Sequence, residues 1–198
     1  MTSGVKNVLC LAIITCVAGF LLGYVYDVTK EPIAQMEEQS KLDAYKSIFD
    51  SASDFEDVET SPEALEEILL AANLSYVTCE DVVMAKDSAG KQLGYIFNVT
   101  SHEGYGGDIE MSVCIEPDGT VKGIEILSIS ETAGLGMNAQ NPEFKSNFEN
   151  KKVSKFSYVK GEASADFEVE AISGATITTN AVTNAVNGAI SIFESIRG

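Results

Sequence analysis

The chain has 198 residues, 45% hydrophobic and 22% charged, enough to bury one sizeable core. Its formal net charge is −17, which excludes nucleic acid as a partner because the lysines and arginines that neutralise phosphates are too few. The same charge repels the soluble part from anionic lipid headgroups and points to solubility, or to positively charged partners and ions.

Residues 8–26, VLCLAIITCVAGFLLGYVY, carry no charge. A helix of about 19 residues matches the thickness of a bilayer core. Tyr24 and Tyr26 stand at one end, where an aromatic belt would lie. The competing reading is a cleaved signal peptide, which needs a shorter apolar core and a small-x-small cleavage site, and Val25-Tyr26-Asp27 is a poor one. A retained anchor is therefore expected. A short first tail usually stays in the cytoplasm, which places residues 1–7 inside and 27–198 on the extracytoplasmic side.

Residues 32–50 look helical, with Pro32 at an early position and the helix continuing from the anchor. Residues 61–71 form a second helix, capped by Ser61 with Pro62 at the first position. The acidic run 54–59 between them reads as a solvated loop. Strands are expected over 76–86 and 92–101, and over 108–116 and 120–130, the second pair flanking Pro117-Asp118-Gly119 as a hairpin. A short helix is expected over 141–150, a last strand over 167–171 and a terminal helix over 178–197. Two hairpins with a few helices indicate an α+β domain with an antiparallel sheet. Four cysteines, Cys10, Cys16, Cys79 and Cys114, make no CxxC pair and no metal-like cluster. They read as buried thiols, with a Cys79–Cys114 disulfide as the alternative in an oxidising compartment.

Three short stretches carry chemistry. Ser173-Gly174-Ala175-Thr176-Ile177-Thr178-Thr179 lies between the last strand and the terminal helix. Small residues there let the backbone approach a bulky ligand, and a helix N-terminus suits a phosphate. Alone, the SGAT tetrapeptide reads more simply as a helix cap in a tight turn. Glu131-Thr132-Ala133-Gly134-Leu135-Gly136 follows a strand and makes a loop whose amides and Thr132 hydroxyl can hold the polar groups of a ring, with Leu135 on its face. Gly104-Tyr105-Gly106-Gly107 precedes the central strand pair, and Tyr105 becomes relevant beside a flat ring. No GxGxxG follows a strand, no GxxxxGKS occurs, and His102 is the lone imidazole, so neither NAD binding nor a Ser–His–Asp set is expected.

Taken in order, these pieces resemble the FMN-binding domain shared by the G component of the Rnf electron-transport complex and by the C component of the sodium-translocating NADH:quinone oxidoreductase. The resemblance covers residues 92–197 and the anchor helix. It implies a single N-terminal transmembrane helix followed by an FMN-binding domain with an antiparallel sheet and flanking helices. Its parts would be a cytoplasmic tail at 1–7, a span at 8–26, a helical linker region at 27–74 and the FMN-binding domain at 75–198. It also implies that FMN is joined through its phosphate to Thr176 by a separate flavin transferase. Ser173, Gly174, Ala175, Thr178, Glu131, Thr132, Gly134, Leu135, Gly136 and Tyr105 are then the other cofactor-binding residues. Two positions depart from the family pattern. Ala133 stands where proline is frequent, and Glu170 stands where the family has aspartate, its carboxylate reaching about one bond further.

The compact length favours the G component. Implied partners are the other subunits of a membrane redox complex, among them membrane-embedded flavin and iron–sulfur subunits, the whole coupling reduced ferredoxin and NAD to sodium or proton transport. The alternatives are the C component of the quinone reductase, or an anchored binding or assembly module without flavin.

Overall fold

The computed structural model describes residues 3–197. The chain divides into two compact units, residues 1–40 and 41–198. In the first, the apolar run lies in helix α1, Ser3–Ile48, which continues without a break through Pro32. Pro32 therefore sits inside a helix and not in its first turn; good helix formers on both sides carry the helix past the missing donor. The large apolar side chains from Val8 to Tyr26 are exposed. By length and composition this is the one helix among the described residues able to cross a membrane.

In the second unit, five strands form one antiparallel sheet in the order β1-β2-β3-β4-β5: Asp54–Asp57, Val77–Lys86, Gln92–Ser101, Ile109–Ile115 and Val121–Ile129. Strands β2 to β5 fall within one residue of expectation. Their turns explain why. Asp87 Oδ1 accepts the amides of Ala89 and Lys91 at 2.8 and 2.9 Å in the first hairpin, and Asp118 Oδ1 accepts that of Thr120 at 2.9 Å in the second. Strand β1 corrects the expectation of a solvated loop at 54–59. Phe55 turns in to meet Tyr45, ring centroids 5.3 Å apart, while its acidic neighbours face water and Glu56 pairs with Lys86. A single inward residue is too short a signal for a period of two.

Helix α2, Pro62–Ala71, is capped by Ser61, whose Oγ accepts the Ala64 amide at 3.4 Å. The stretch expected as a helix over 141–150 is a single turn, α3 (Pro142–Lys145), between two 3₁₀ turns. A short strand not foreseen in the sequence, β6 (Ser157–Val159), pairs in parallel with β7 (Glu168–Glu170). Helix α4, Thr176–Arg197, starts two residues earlier than expected. Its Ala181, Val182, Ala185, Val186, Ala189, Ile192 and Phe193 are all buried, as helical spacing requires.

The sheet separates two apolar clusters. On one face α4 and α2 cover Val82, Phe97, Val99, Met111, Val113 and Ile115. On the other, Ala44, Tyr45 and Phe49 cover Val83, Ala85, Ile96 and Cys114. Each large side chain so buried contributes roughly 1.5–3 kcal/mol. The second face also holds a polar network. Asn98 donates to the Tyr45 hydroxyl and to Asp81, and accepts from Ser112 Oγ at 2.7 Å. Lys41 Nζ lies 3.2 Å from Glu80 and 3.3 Å from Asp81. Burial, eased by the Asn98 bond, pushes the Tyr45 hydroxyl up to about 12.

Cys79 packs with the first cluster and Cys114 with the second, both as free thiols, so the disulfide alternative does not arise. Burial pushes the Cys79 thiol up to about 12 and that of Cys114 higher still, which disfavours the thiolate in both.

Candidate functional site

The segment between β7 and α4 is a tight turn held by one side chain. Thr179 Oγ1 accepts the Ile172 amide at 3.0 Å and donates to the Ala175 carbonyl at 3.0 Å, which also receives the Thr179 amide at 3.0 Å. Gly174 takes φ +75°, a conformation that costs other residues about 1–2 kcal/mol. The result places Thr176 as the first residue of α4 and not ahead of it. The amides of residues 176–178 are thus among the unpaired donors of a helix start, backed by the positive end of a 22-residue helix.

The loop after β5 forms the facing wall. Leu135 and Met137 amides both donate to the Thr132 carbonyl, at 3.1 and 3.3 Å, and Gly134 turns the chain with φ +77°. Gly136 has no room for a side chain: a β-carbon there would lie 2.7 Å from Thr178 Oγ1 and 2.8 Å from Glu131 Oε2. The third wall is the loop at 104–107, tied down by Glu131, whose Oε1 accepts the Tyr105 amide at 2.7 Å. A β-carbon on Gly104 would strike the Gly107 carbonyl, and one on Gly106 the Ser130 carbonyl.

These walls enclose a cavity of about 500 Å³, within the range of a cofactor pocket. Tyr105, Glu131, Thr132, Leu135, Gly136, Gly174, Ala175, Thr176 and Thr178 line it, together with Ile177. The sequence motifs therefore converge from three separated stretches. Ser173 and Gly134 do not line it. Ser173 opens onto a polar groove with Asn147 and Glu170. Gly134 shapes the turn, and its carbonyl accepts from Asn138 at 3.1 Å.

Two contributors escaped the sequence reading. Ile177 stands on the rim, and Thr179 fixes the turn from behind; the run of three threonines in Thr176-Ile177-Thr178-Thr179 was the available hint for the second. His102 lies outside the cavity on the surface, between Asp108 at 2.9 Å and Thr78 at 3.2 Å.

The cavity lining is part exposed and part buried. At the rim Tyr105 is 73% exposed, Ile177 53% and Leu135 41%, an apolar clasp for a flat ring. The buried lining residues are Glu131, Gly136, Ala175 and Thr178, the last of them in the first turn of α4 with Thr176. No lysine or arginine is among the lining residues, so an anionic group here would be held by backbone amides. The arrangement suits an elongated ligand with a phosphate at one end, hydroxyls between and an aromatic ring system at the other, which is the make-up of FMN.

Comparison with known proteins gives the same picture. The family model described as FMN-binding domain matches residues 104–191, and that described as RnfG N-terminal region matches residues 1–48. The G component of the Na(+)-translocating ferredoxin:NAD(+) oxidoreductase complex of Acetobacterium woodii is 32% identical over 195 residues, covering 95% of this chain and 90% of that protein. The G component of the proton-translocating ferredoxin:NAD(+) oxidoreductase complex of Clostridium ljungdahlii is 30% identical, covering 93% of this chain and 89% of that protein. The crystal structure of Shewanella oneidensis NqrC is 25% identical over 59% of this chain and 60% of that one, with a TM-score of 0.49. On the full-length relatives and both family models, the chain belongs to the RnfG family, the G components of ion-translocating ferredoxin:NAD(+) oxidoreductase complexes.

Proposed function

We propose that this chain is the membrane-anchored electron carrier of an ion-translocating ferredoxin:NAD+ oxidoreductase complex, with FMN joined covalently to Thr176. Residues 8–26 are the span, and residues 27–198 stand on the extracytoplasmic side. The observation that carries the reading is the place of Thr176: first residue of a long helix, lining the cavity, with unpaired helix amides beside it. Charge supports a covalent link. A free phosphate monoester carries about −1.5 to −2 at neutral pH, and the cavity lining supplies no cation to meet it. Esterification by the Thr176 hydroxyl leaves a single negative charge, which the helix start can hold.

In forming that link the Thr176 oxygen bonds to phosphorus and loses its proton, and the bond from phosphorus to the leaving group of the flavin donor breaks. A flavin transferase would catalyse the step. When bound, the flavin supplies reversible electron transfer; the protein supplies position and electrostatics. Tyr105, Leu135 and Ile177 would flank the ring, Thr132 and Glu131 would meet polar groups of the cofactor, and Gly136 would leave room for it. The other subunits of the complex would receive and deliver the electrons.

The test is the intact mass of the native chain, expected to exceed the polypeptide by FMN less water, with the added mass on the peptide containing Thr176. Denatured chain should fluoresce in a gel under ultraviolet light, and Thr176→Ala should be dark. Equal fluorescence in Thr176→Ala and in Thr178→Ala would sink the assignment.

A further inference from the structure

The carboxylate of Glu131 divides its two oxygens between the protein and the cavity. Oε1 accepts the Tyr105 amide at 2.7 Å, across 26 residues of sequence. Oε2 receives no donor among the described residues, although the side chain is nine-tenths buried. Thr178 is 1% exposed, and its hydroxyl likewise bonds to no described residue. No described side-chain oxygen or nitrogen that is fully sealed from solvent lacks a partner, so both of these atoms open onto the cavity. They converge over Gly136, within 2.8 and 2.7 Å of the point where a β-carbon would stand.

A carboxylate oxygen that opens onto the cavity is an acceptor for whatever enters it, and a ligand that brings an N–H or O–H there gains a charge-assisted hydrogen bond. FMN carries such donors on the imide of its ring and on its ribityl chain. Resting on the FMN reading above, we propose that Glu131 is the positioning and potential-setting residue of this site. Its Oε1 holds the Tyr105 loop over the ring, and its Oε2 accepts a hydrogen bond from the flavin, the proton staying on the flavin. The carboxylate then places a negative charge beside the group that gains electrons, and in a cavity shielded from water that charge opposes reduction. Gly136 is required because any side chain there would collide with Glu131 Oε2 and Thr178 Oγ1.

The test uses the full flavinylated chain in detergent and its Glu131→Gln variant, reduced stepwise with dithionite. Glutamine keeps an acceptor for the Tyr105 amide but removes the charge and the second acceptor. The flavin should stay attached at Thr176, and its reduced form should gain about tenfold over the oxidised form, a rise of about 59 mV for a one-electron couple. An unchanged potential with an unchanged absorption spectrum would overturn the proposal while leaving the FMN reading intact. A parent chain without flavin on Thr176 would overturn both.

A second measurement needs no attachment: binding of neutral flavins to Thr176→Ala chain, with and without Glu131→Gln. Riboflavin should bind about tenfold more weakly to the double variant, and equal affinities would overturn the proposal. Lumiflavin, which keeps the ring and lacks the ribityl chain, locates the donor. The same loss with both flavins assigns it to the ring imide, and a loss with riboflavin alone assigns it to a ribityl hydroxyl.

Discussion

The Thr179 hydroxyl accepts the amide of Ile172 at 3.0 Å and so closes the turn that presents Thr176. Thr179 is fully buried and does not itself line the cavity, yet the first turn of α4 depends on it. Thr179→Val keeps the shape and removes the oxygen, leaving the Ile172 amide without its partner at about 1–3 kcal/mol. Thermal melting should show the loss, and flavin incorporation, read by gel fluorescence, should fall with it. Thr183→Val, which removes only a bond to the Thr179 carbonyl one turn further along, should leave incorporation unchanged.

The network around Asn98 makes a second prediction. Asn98→Leu is close in volume, but it strips partners from Tyr45, Asp81 and Ser112 at once. A loss of about 2 kcal/mol or more is expected, seen as a fall of roughly 4–8 °C in Tm. Flavin incorporation should persist below the melting temperature, because the network lies on the face of the sheet opposite α4.

Asp118 gives the stability a dependence on acid. The backbone and side chain of Thr120, then Lys152, hold its carboxyl down to about 2, below its ordinary value. A carboxyl lowered on folding stabilises the native state fully above the unfolded value near 4, and that contribution fades as pH falls toward 2. Asp118→Asn should therefore melt below the parent at pH 7, and the gap should close as melts are repeated toward pH 2. A gap of constant size would show that the charge of Asp118 is not its source.

The orientation proposed for the anchor can be read by labelling. Ser51 is exposed between α1 and β1; of the native thiols Cys10 and Cys16 lie in the apolar run, Cys114 is buried and Cys79 is half-buried, so the parent chain serves as the background control. A membrane-impermeant maleimide should label Ser51→Cys on intact cells. Labelling only after lysis would reverse the assignment.

The flavin should relay electrons without oxidising NADH itself. The chain carries no dinucleotide fingerprint to orient a nicotinamide, and a hydride donor must come into near contact with its acceptor. Purified flavinylated chain mixed with NADH in the absence of oxygen should keep its colour, and reduction should return in the assembled complex. Fast, saturable bleaching by NADH alone would refute the relay.

The parts of the fold that were legible in the sequence are those with local signals. Hairpins β2–β3 and β4–β5 are bounded by turns that aspartate and glycine build for themselves, and α4 declares its buried face at helical spacing. Strand β1 has one inward side chain, Phe55, and β6 is only three residues, pairing in parallel with β7, so neither has a pattern to read. At the site, the motif residues were visible because glycines and threonines cluster there. The tie from Glu131 to Tyr105 was not, because it exists only once two separate stretches have packed, and the clamp of Thr179 was not, because a single threonine hydroxyl bonding within its own turn leaves no periodic pattern.

Cys79 and Cys114 face opposite sides of the sheet. Neither can reach the other without dismantling a strand, so maturation of the domain asks nothing of a thiol oxidant or a disulfide isomerase. The sheet itself keeps the two thiols apart, so the redox state of the compartment has no bond between them to make or break.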